Sequence, residues 1–183
     1  MKTLKKLTAL SFILFASTMA NAQDIIVKNA AGEQTVPQNP QKVVVLDFGV
    51  ADTLRALGET DKIVGFPKTG HIPTYLDEFK QDKFKDVGSL PEPAFESINE
   101  LNPDLIIAAP RQQKLLDKLK EIAPVFYVEN DYSNYYPSFQ ENVTALGKIF
   151  NKEALAKAKL DALDAKVSPV SYTHLTLPTN SRV

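Results

Sequence analysis

The fold of this chain is decided by residues 87–128, which read VGSLPEPAFESINELNPDLIIAAPRQQKLLDKLKEIAPVFYV. Within this stretch the largely apolar run 104–109 lies between Pro103 and Pro110, which indicates a buried strand rather than a helix. Leucines at helical spacing follow, and the run 125–128, made of β-branched and aromatic residues, indicates a second strand. A strand, a helix and a strand in this order predict a parallel βαβ unit.

Arg111 comes directly after the first of these two strands. Open α/β sheets bind ligands in the crevice at the carboxyl ends of their strands, so Arg111 is a candidate ligand-binding residue. The alternative is an ordinary surface arginine at the end of a strand. The residues on their own leave both interpretations open.

The rest of the chain predicts more elements of the same α/β kind. Before residue 87 we expect a hairpin within 23–41, a strand at 42–46, a helix over 50–57 that Gly58 closes, a strand at 63–66, a short helix around 75–79 and a short strand within 83–87. A helix is predicted at 93–101. After residue 128 we expect an amphipathic helix with Phe139, Val143, Leu146 and Ile149 on its apolar face, and a second helix from 151 to about 167.

If the sheet is parallel, its strand exits lie on one rim, and we expect this rim to be the ligand-binding site. The residues at the exits are Asp47 and Phe48, Lys68, Arg111, and the segment that ends at Tyr132. Local alternatives stay open for three of them. Asp47 is placed to cap the following helix, Lys68 to be a solvated turn lysine, and Tyr132 to anchor its loop.

The first 22 residues have the pattern of a secretory signal peptide. Three lysines precede an apolar run over 7–19, and Ala-Asn-Ala at 20–22 is a small-residue cleavage site. We therefore expect the mature chain to begin at Gln23 and to be exported to a Gram-negative periplasm. No cysteine is present, which argues against a lipid anchor, disulfides and thiolate metal sites.

The composition excludes several classes of function. Without the three signal lysines, 18 of the 21 basic residues remain against 22 acidic ones, so the basic surface of a nucleic-acid-binding protein is absent. None of the usual nucleotide-binding, hydrolase or metalloprotease motifs occurs, so we predict no enzymatic activity. His71 has no second ligand at metal-binding spacing and is interpreted as a loop histidine.

The end of the chain differs from the rest. Residues 168–183, SPVSYTHLTLPTNSRV, contain no acidic residue and no helical periodicity, and the run 170–179 resembles a translated sequencing-adapter tail. We interpret 168–183 as an artefact and assign no role to Tyr172 or His174. A natural disordered terminus is the alternative.

Taken together, the segments resemble the periplasmic substrate-binding proteins of iron-siderophore and vitamin B12 ABC importers, in particular the catecholate-siderophore branch. The resemblance covers residues 25–167 and rests on KVVVLDFGVADTLRALG, IVGFPK, EPAFESINELNPDLIIAAPRQQKLLDKLKEIAPVFYV and NVTALGKIFNKEALAKAK. It implies a Rossmann-like N-terminal lobe with a parallel sheet at 23–150 and the start of the long inter-lobe helix at 151–167. Family members hold ligand between two such lobes, and we expect the second lobe to be missing here.

The resemblance also implies roles for individual residues. Arg111 matches an arginine that contacts the ferric catecholate, a trianion for which a guanidinium offers fixed charge and a fork of donors. Glu96 matches a surface glutamate that docks onto the membrane permease, with ordinary solvated helix charge as its alternative. The remaining residues lie at strand exits that resemble ligand-lining loops: Asp47, Phe48, Lys68 and Tyr132.

The function implied is that of a solute-binding component that captures a ferric siderophore and delivers it to an inner-membrane ABC permease. Iron arrives inside its chelator, so no cofactor and no resident metal are expected, and the complete protein is expected to be a monomer. Haem, cobalamin or a hydroxamate siderophore are the alternative ligands. A non-functional truncated fragment, or a structural or partner-binding periplasmic domain, are the alternative interpretations of the chain.

Overall fold

The computed structural model describes the backbone of residues 23–173 and the side chains of residues 23–167. The predicted signal peptide at 1–22 and the last ten residues of the predicted tail lie outside this range. Among the described residues, no helix combines the length and apolarity needed to cross a bilayer.

The described residues form seven strands, two in a leading antiparallel hairpin and five in a parallel sheet. The hairpin and the parallel βαβ unit predicted from the sequence are both confirmed. Each strand of the parallel sheet is one to three residues shorter than the run predicted for it, except the strand at 63–66, which matches its prediction. The strands are β1 Asp24–Asn29, β2 Gly32–Pro37, β3 Val43–Val45, β4 Ile63–Phe66, β5 Lys85–Asp86, β6 Leu105–Ala108 and β7 Val125–Tyr127.

The strand order in the parallel sheet is β5-β4-β3-β6-β7. Its centre is held in register by Val44 opposite Ile106 and by Ile106 opposite Val125. The chain first runs outward from β3 through β4 to β5, then returns to place β6 on the other side of β3. The order therefore reverses between β3 and β6, which is where open α/β sheets form their binding crevice.

Within residues 23–173, five α-helices accompany the sheet. They are α1 Phe48–Ala56, α2 Phe95–Leu101, α3 Leu116–Lys120, α4 Tyr135–Ile149 and α5 Glu153–Thr173, and short 3₁₀ helices occupy Thr60–Lys62, Thr74–Lys80, Pro110–Leu115 and Tyr132–Asn134. The helix predicted at 93–101 begins two residues later, at Phe95. The last helix continues past its predicted end at 167 to Thr173, so that end was predicted too early.

Apolar side chains cover both faces of the sheet. Val43 and Val45 face α1, α4 and the hairpin, whereas Val44 and Leu46 face α2 and α3. Side chains alternate between the faces of a strand, so a strand with two covered faces is apolar throughout. This is why the run 42–46 is almost entirely apolar and β-branched.

The hairpin protects the free edge of β7. The Gln34 amide accepts from the Tyr127 backbone N–H at 2.7 Å and donates to the Tyr127 carbonyl at 2.9 Å, as a neighbouring strand would. Asn29 also donates to the Tyr127 carbonyl, at 2.9 Å. The outward-facing backbone groups of Tyr127 are thus satisfied by side chains, which limits pairing with another strand at this point of the edge.

Helix α5 packs back onto α4. A Cβ atom on Gly147 would lie 2.7 Å from Ala156, so only glycine permits this close approach. Farther along, the Tyr136 hydroxyl donates to Asp164 at 2.6 Å, and Gln140 donates to the same carboxylate. The start of α5 is therefore part of the folded body of the domain.

Candidate functional site

The parallel sheet brings the predicted site residues to one edge. Asp47 and Phe48 follow β3, Lys68 follows β4, Arg111 follows β6, and Tyr132 lies in the loop after β7. The exits of β3 and β6 flank the point where the strand order reverses. The topology therefore places Arg111 beside the crevice together with the start of α1.

Arg111 has an exposed side chain at the second position of the 3₁₀ helix Pro110–Leu115. Within residues 23–167, no carboxylate forms a salt bridge with its guanidinium and no oxygen accepts a hydrogen bond from it. An unpaired cation at this edge of a sheet is available to an anionic ligand. Arg111 therefore lies at a strand exit, as predicted from its place directly after the apolar run 104–109.

Gln112, the neighbour of Arg111, is fully buried. Its Oε1 accepts from the Ala109 N–H at 2.9 Å, and its Nε2 donates to the Leu90 carbonyl. Leu90 belongs to the segment between β5 and α2, so this amide joins two loops of the rim. The sequence analysis did not single out Gln112, because two adjacent glutamines carry no signal of which one is buried.

Asp86 organises the loops after β4 and β5. One carboxylate oxygen accepts from the N–H groups of Lys68, at 3.1 Å, and Gly88, at 2.9 Å. The Thr69 N–H then donates to the Gly88 carbonyl at 3.0 Å. Gly88 has φ +90°, and a Cβ there would lie 2.6 Å from the Glu92 carbonyl oxygen, so the turn requires glycine.

The Lys68 ammonium is already engaged by the protein. It donates to the carbonyls of Gln81 at 2.7 Å and Lys80 at 3.2 Å, at the end of the 3₁₀ helix Thr74–Lys80. An ammonium has three donors, so at most one remains for a ligand. The side chain is half-buried and bonded to two carbonyls. Both the turn-lysine alternative and a ligand role for Lys68 stay predictions.

Asp47 caps α1, as its local alternative predicted. Its carboxylate accepts from the N–H groups of Gly49 at 2.8 Å and Val50 at 3.0 Å. Phe48 is half-buried and stacks on Phe66, with ring centroids 5.3 Å apart. Both residues therefore have structural contacts that hold the rim, and a ligand contact by either one stays a prediction.

The loop after β7 lines a cleft of about 610 Å³. Tyr132 is 88 % exposed, so the idea that it anchors the loop is wrong. The anchor is the buried Asn142, which donates at 2.9 Å both to the Glu129 carbonyl and to Asn130 Oδ1. Three carboxylates lie along the cleft, those of Glu129, Asp131 and Glu141.

Two tyrosine hydroxyls in this region have raised pKa values. A hydrogen bond to the Asp164 carboxylate is the main cause for Tyr136, whose pKa lies above its usual value. Burial is the main cause for Tyr127, and the negative charge of Glu129 adds to it. Both groups stay protonated at neutral pH and offer no acid–base pair for catalysis.

Glu96 lies in the first turn of α2, and both it and Glu100 are exposed, as their spacing predicted. His71 is also exposed. Over residues 23–167, no three histidine or carboxylate side chains gather at metal-binding distance.

The sequence model of the periplasmic binding protein family matches residues 43–180. The chain belongs to the periplasmic binding protein family. This confirms the resemblance and the α/β fold predicted from the sequence. The match runs past residue 168, and the interpretation of 168–183 as an artefact stays a prediction.

The relatives within this family are named as binding proteins, not as enzymes. Petrobactin-binding protein YclQ of Bacillus subtilis is 45% identical over 148 residues, which cover 81% of this chain and 46% of the relative. Its crystal structure superimposes with a TM-score of 0.79 at 43% identity, over 82% of this chain and 53% of that one. Ferric-anguibactin-binding protein FatB of Vibrio anguillarum is 30% identical, over 80% of this chain and 46% of the relative.

A further solved structure is that of the periplasmic catecholate-siderophore binding protein VctP of Vibrio cholerae. It superimposes with a TM-score of 0.76 at 34% identity, over 84% of this chain and 55% of that one. The chain thus spans about half the length of the family members it matches. Some relatives are named lipoproteins, such as YhfQ of Bacillus subtilis, which is 35% identical.

Proposed function

We propose that this chain is the ligand-binding part of an ABC importer component that captures a ferric siderophore, of the catecholate type, and delivers it to an inner-membrane permease. The names of the relatives support the ligand class, since petrobactin and ferric anguibactin are what two of them bind. We place the protein in the periplasm of a Gram-negative cell, on the basis of residues 1–22. The lipoproteins among the relatives show that family members also use an anchored form.

The exposed, unpaired Arg111 beside the crevice is the observation that carries the proposal. A ferric tris-catecholate has a net charge of −3, with its anionic oxygens grouped around the metal. A guanidinium donates two parallel hydrogen bonds to such oxygens and keeps its charge at all working pH values. In this proposal the chelator supplies the iron ligands, and the protein contacts the outside of the complex.

The loop after β7 has a different role in this proposal. The exposed rings of Tyr132 and Tyr135 have centroids 6.5 Å apart and offer flat apolar surfaces to the arms of the chelator that lie outside the iron centre. The carboxylates of Glu129, Asp131 and Glu141 repel an anionic iron centre. The iron centre is therefore placed on the Arg111 side, with the uncharged or cationic arms of the chelator toward the cleft.

Glu96 is proposed as a contact with the permease rather than with the ligand. It is exposed in the first turn of α2, so it is accessible to a partner protein. A carboxylate at such a place can pair with an arginine of the permease and direct the approach of the two proteins.

The experiment that tests the ligand is a titration of the full 183-residue chain with a synthetic ferric tris-catecholate, followed by tyrosine fluorescence. Arg111→Ala should raise Kd about ten- to a hundredfold, since a hydrogen bond to a charged group contributes about 1.5–3 kcal/mol. The Kd of Arg111→Lys should lie between those of the unmodified chain and Arg111→Ala, because lysine keeps the positive charge but cannot donate two parallel hydrogen bonds. Lys114→Ala, which removes an exposed cation three residues away, is the matched control.

Three other outcomes would change the conclusion. Tighter binding of a neutral ferric hydroxamate, haem or cobalamin would favour one of the alternative ligands. Binding of the tris-catecholate that Arg111→Ala leaves unchanged would count against the site. No binding of any of these probes would favour the interpretation of a fragment without function of its own.

A further inference from the structure

Gln112 is the one fully buried polar side chain in the described part of the rim. Its two hydrogen bonds run in different directions. The Oε1 atom reaches back three residues to the Ala109 N–H at 2.9 Å, and Nε2 reaches the Leu90 carbonyl in another loop. Both hydrogen-bonding ends of the amide are thus used inside the protein.

The first bond closes a small ring around Arg111. Ala109 and Gln112 are the ends of this ring, and Pro110 and Arg111 lie between them. Proline restricts its own φ, and the side-chain bond fixes the first turn of the 3₁₀ helix. The backbone that carries Arg111 therefore has little freedom, although its side chain is exposed.

The second bond joins loops that the sheet alone leaves apart. Leu90 follows β5 and Gln112 follows β6, and the strands β4 and β3 separate these two in the sheet. The loop of Leu90 is in turn bonded to the loop of Lys68, through the Thr69 N–H and the Gly88 carbonyl. Gln112 therefore connects rim loops on both sides of the point where the strand order reverses.

We infer that Gln112 is a positioning residue that holds Arg111 at the mouth of the crevice through the Ala109 and Leu90 bonds. This inference rests on the proposed function, because it concerns the affinity that Arg111 provides. An arginine on a fixed backbone loses less conformational freedom when it binds an anion than one on a mobile loop. Loss of the two bonds should thus weaken binding of the trianion without removing any atom that contacts it.

The test replaces Gln112 by methionine, which keeps the length of the side chain and removes both hydrogen bonds. The matched control is Gln113→Met, the same change at the exposed neighbouring glutamine. We expect Gln112→Met to raise the Kd for a synthetic ferric tris-catecholate about two- to tenfold, the cost of ordering one segment and its side chain. Gln113→Met should leave that Kd unchanged.

The decisive comparison adds each change to Arg111→Ala. If Gln112 acts through Arg111, the double variant with Gln112→Met binds no more weakly than Arg111→Ala alone. A general loss of structure would instead lower affinity by the same factor in both backgrounds, and this result would overturn the inference. Binding of a neutral ferric tris-hydroxamate serves as a second probe, since it should depend little on either residue.

Hydrogen exchange followed by NMR gives a readout that is independent of the ligand. Gln112→Met should speed exchange of the Ala109 amide at least tenfold, whereas the amides of the preceding strand β6 should exchange at an unchanged rate. Unchanged exchange at Ala109 would overturn the positioning role even if no probe binds. Absence of binding by the unmodified chain, with fast exchange in the variant, would instead mean that the proposed function fails while the loop connection stands.

Discussion

Replacement of Asn142 by leucine is expected to destabilise the domain and to loosen the loop that lines the cleft. Asn142 is 4 % exposed and makes three hydrogen bonds at 2.9 Å. It accepts from Asn29 and donates to the Glu129 carbonyl and to Asn130. Leucine has a similar volume, so the change removes the bonds and leaves the packing space filled.

The size of the effect follows from the partners left behind. Each lost bond costs about 0.5–1.5 kcal/mol, which gives about 3 kcal/mol for the three. The apolar leucine side chain recovers about 1 kcal/mol through burial, and water reaches the half-buried Glu129 and Asn130. The free energy of unfolding should therefore fall by about 2 kcal/mol.

Urea unfolding followed by circular dichroism measures this change. With a slope of about 2 kcal/mol per molar urea, typical of a domain of this size, the midpoint should fall by about 1 M. Asn134→Leu is the matched control, because Asn134 is exposed and its side chain does not cap α4. It should change the stability by less than about 0.5 kcal/mol.

A loss below about 0.5 kcal/mol for Asn142→Leu, with an unchanged slope, would refute the reasoning. Water would then satisfy the partners of Asn142 as well as its amide does. An equal loss in both variants would instead show that an added apolar side chain, not the lost network, is the cause.

Three further predictions concern α4, α5 and α2. The raised pKa of Tyr136, caused mainly by its hydrogen bond to Asp164, stabilises the fold below the ordinary tyrosine pKa of 10.0. This contribution is lost as the pH rises from there through the raised value, so Tyr136→Phe should flatten the fall in stability above about pH 10. Gly147→Ala should cost about 1–3 kcal/mol in urea unfolding, since the new Cβ would lie 2.7 Å from Ala156. Glu96→Lys should reduce siderophore uptake by cells without changing the Kd for the ligand.

Two of these predictions have a control variant, and each has an outcome that would contradict it. For the helix contact, Ala156→Gly in the Gly147→Ala background should restore much of the stability, because it removes the opposing Cβ. For the docking surface, Glu100→Lys reverses a neighbouring exposed charge one turn away and should leave uptake unchanged. A weaker ligand affinity in Glu96→Lys would mean that the docking role is wrong. An unaltered alkaline profile in Tyr136→Phe would mean that the hydroxyl does not stabilise the contact with Asp164.

Local signals in the chain were enough to predict most elements. The proline-bounded run 104–109 became β6, and the run 125–128 became β7, because short apolar segments between helix-breaking residues have few other stable arrangements. The exit position of Arg111 followed from the same pattern. The end of α5 was predicted wrongly, because the helix continues past Val167 to Thr173.

The roles of the rim side chains were harder to predict. Tyr132 was predicted to contact the ligand, with anchoring of its loop as the alternative, and its side chain is almost fully exposed. Tyr136, four residues on, bonds instead to Asp164 in α5. Lys68 was predicted to contact the ligand, with a solvated turn lysine as the alternative, and its ammonium binds two carbonyls of another segment. Each outcome depends on a partner at least a dozen residues away along the chain.

By itself the sequence determined the α/β class, the parallel βαβ unit and the place of Arg111 at a strand exit, because these depend on the spacing of apolar residues and on prolines near one another in the chain. Only the tertiary structure decided that β6 lies beside β3, that Gln112 rather than Gln113 is buried, and that Asn142 holds the cleft loop. The physical reason is that a buried polar group needs a partner for each hydrogen bond. Leu90, the partner of Gln112, and Asn29, a partner of Asn142, are distant along the chain, so only folding brings them into hydrogen-bonding distance.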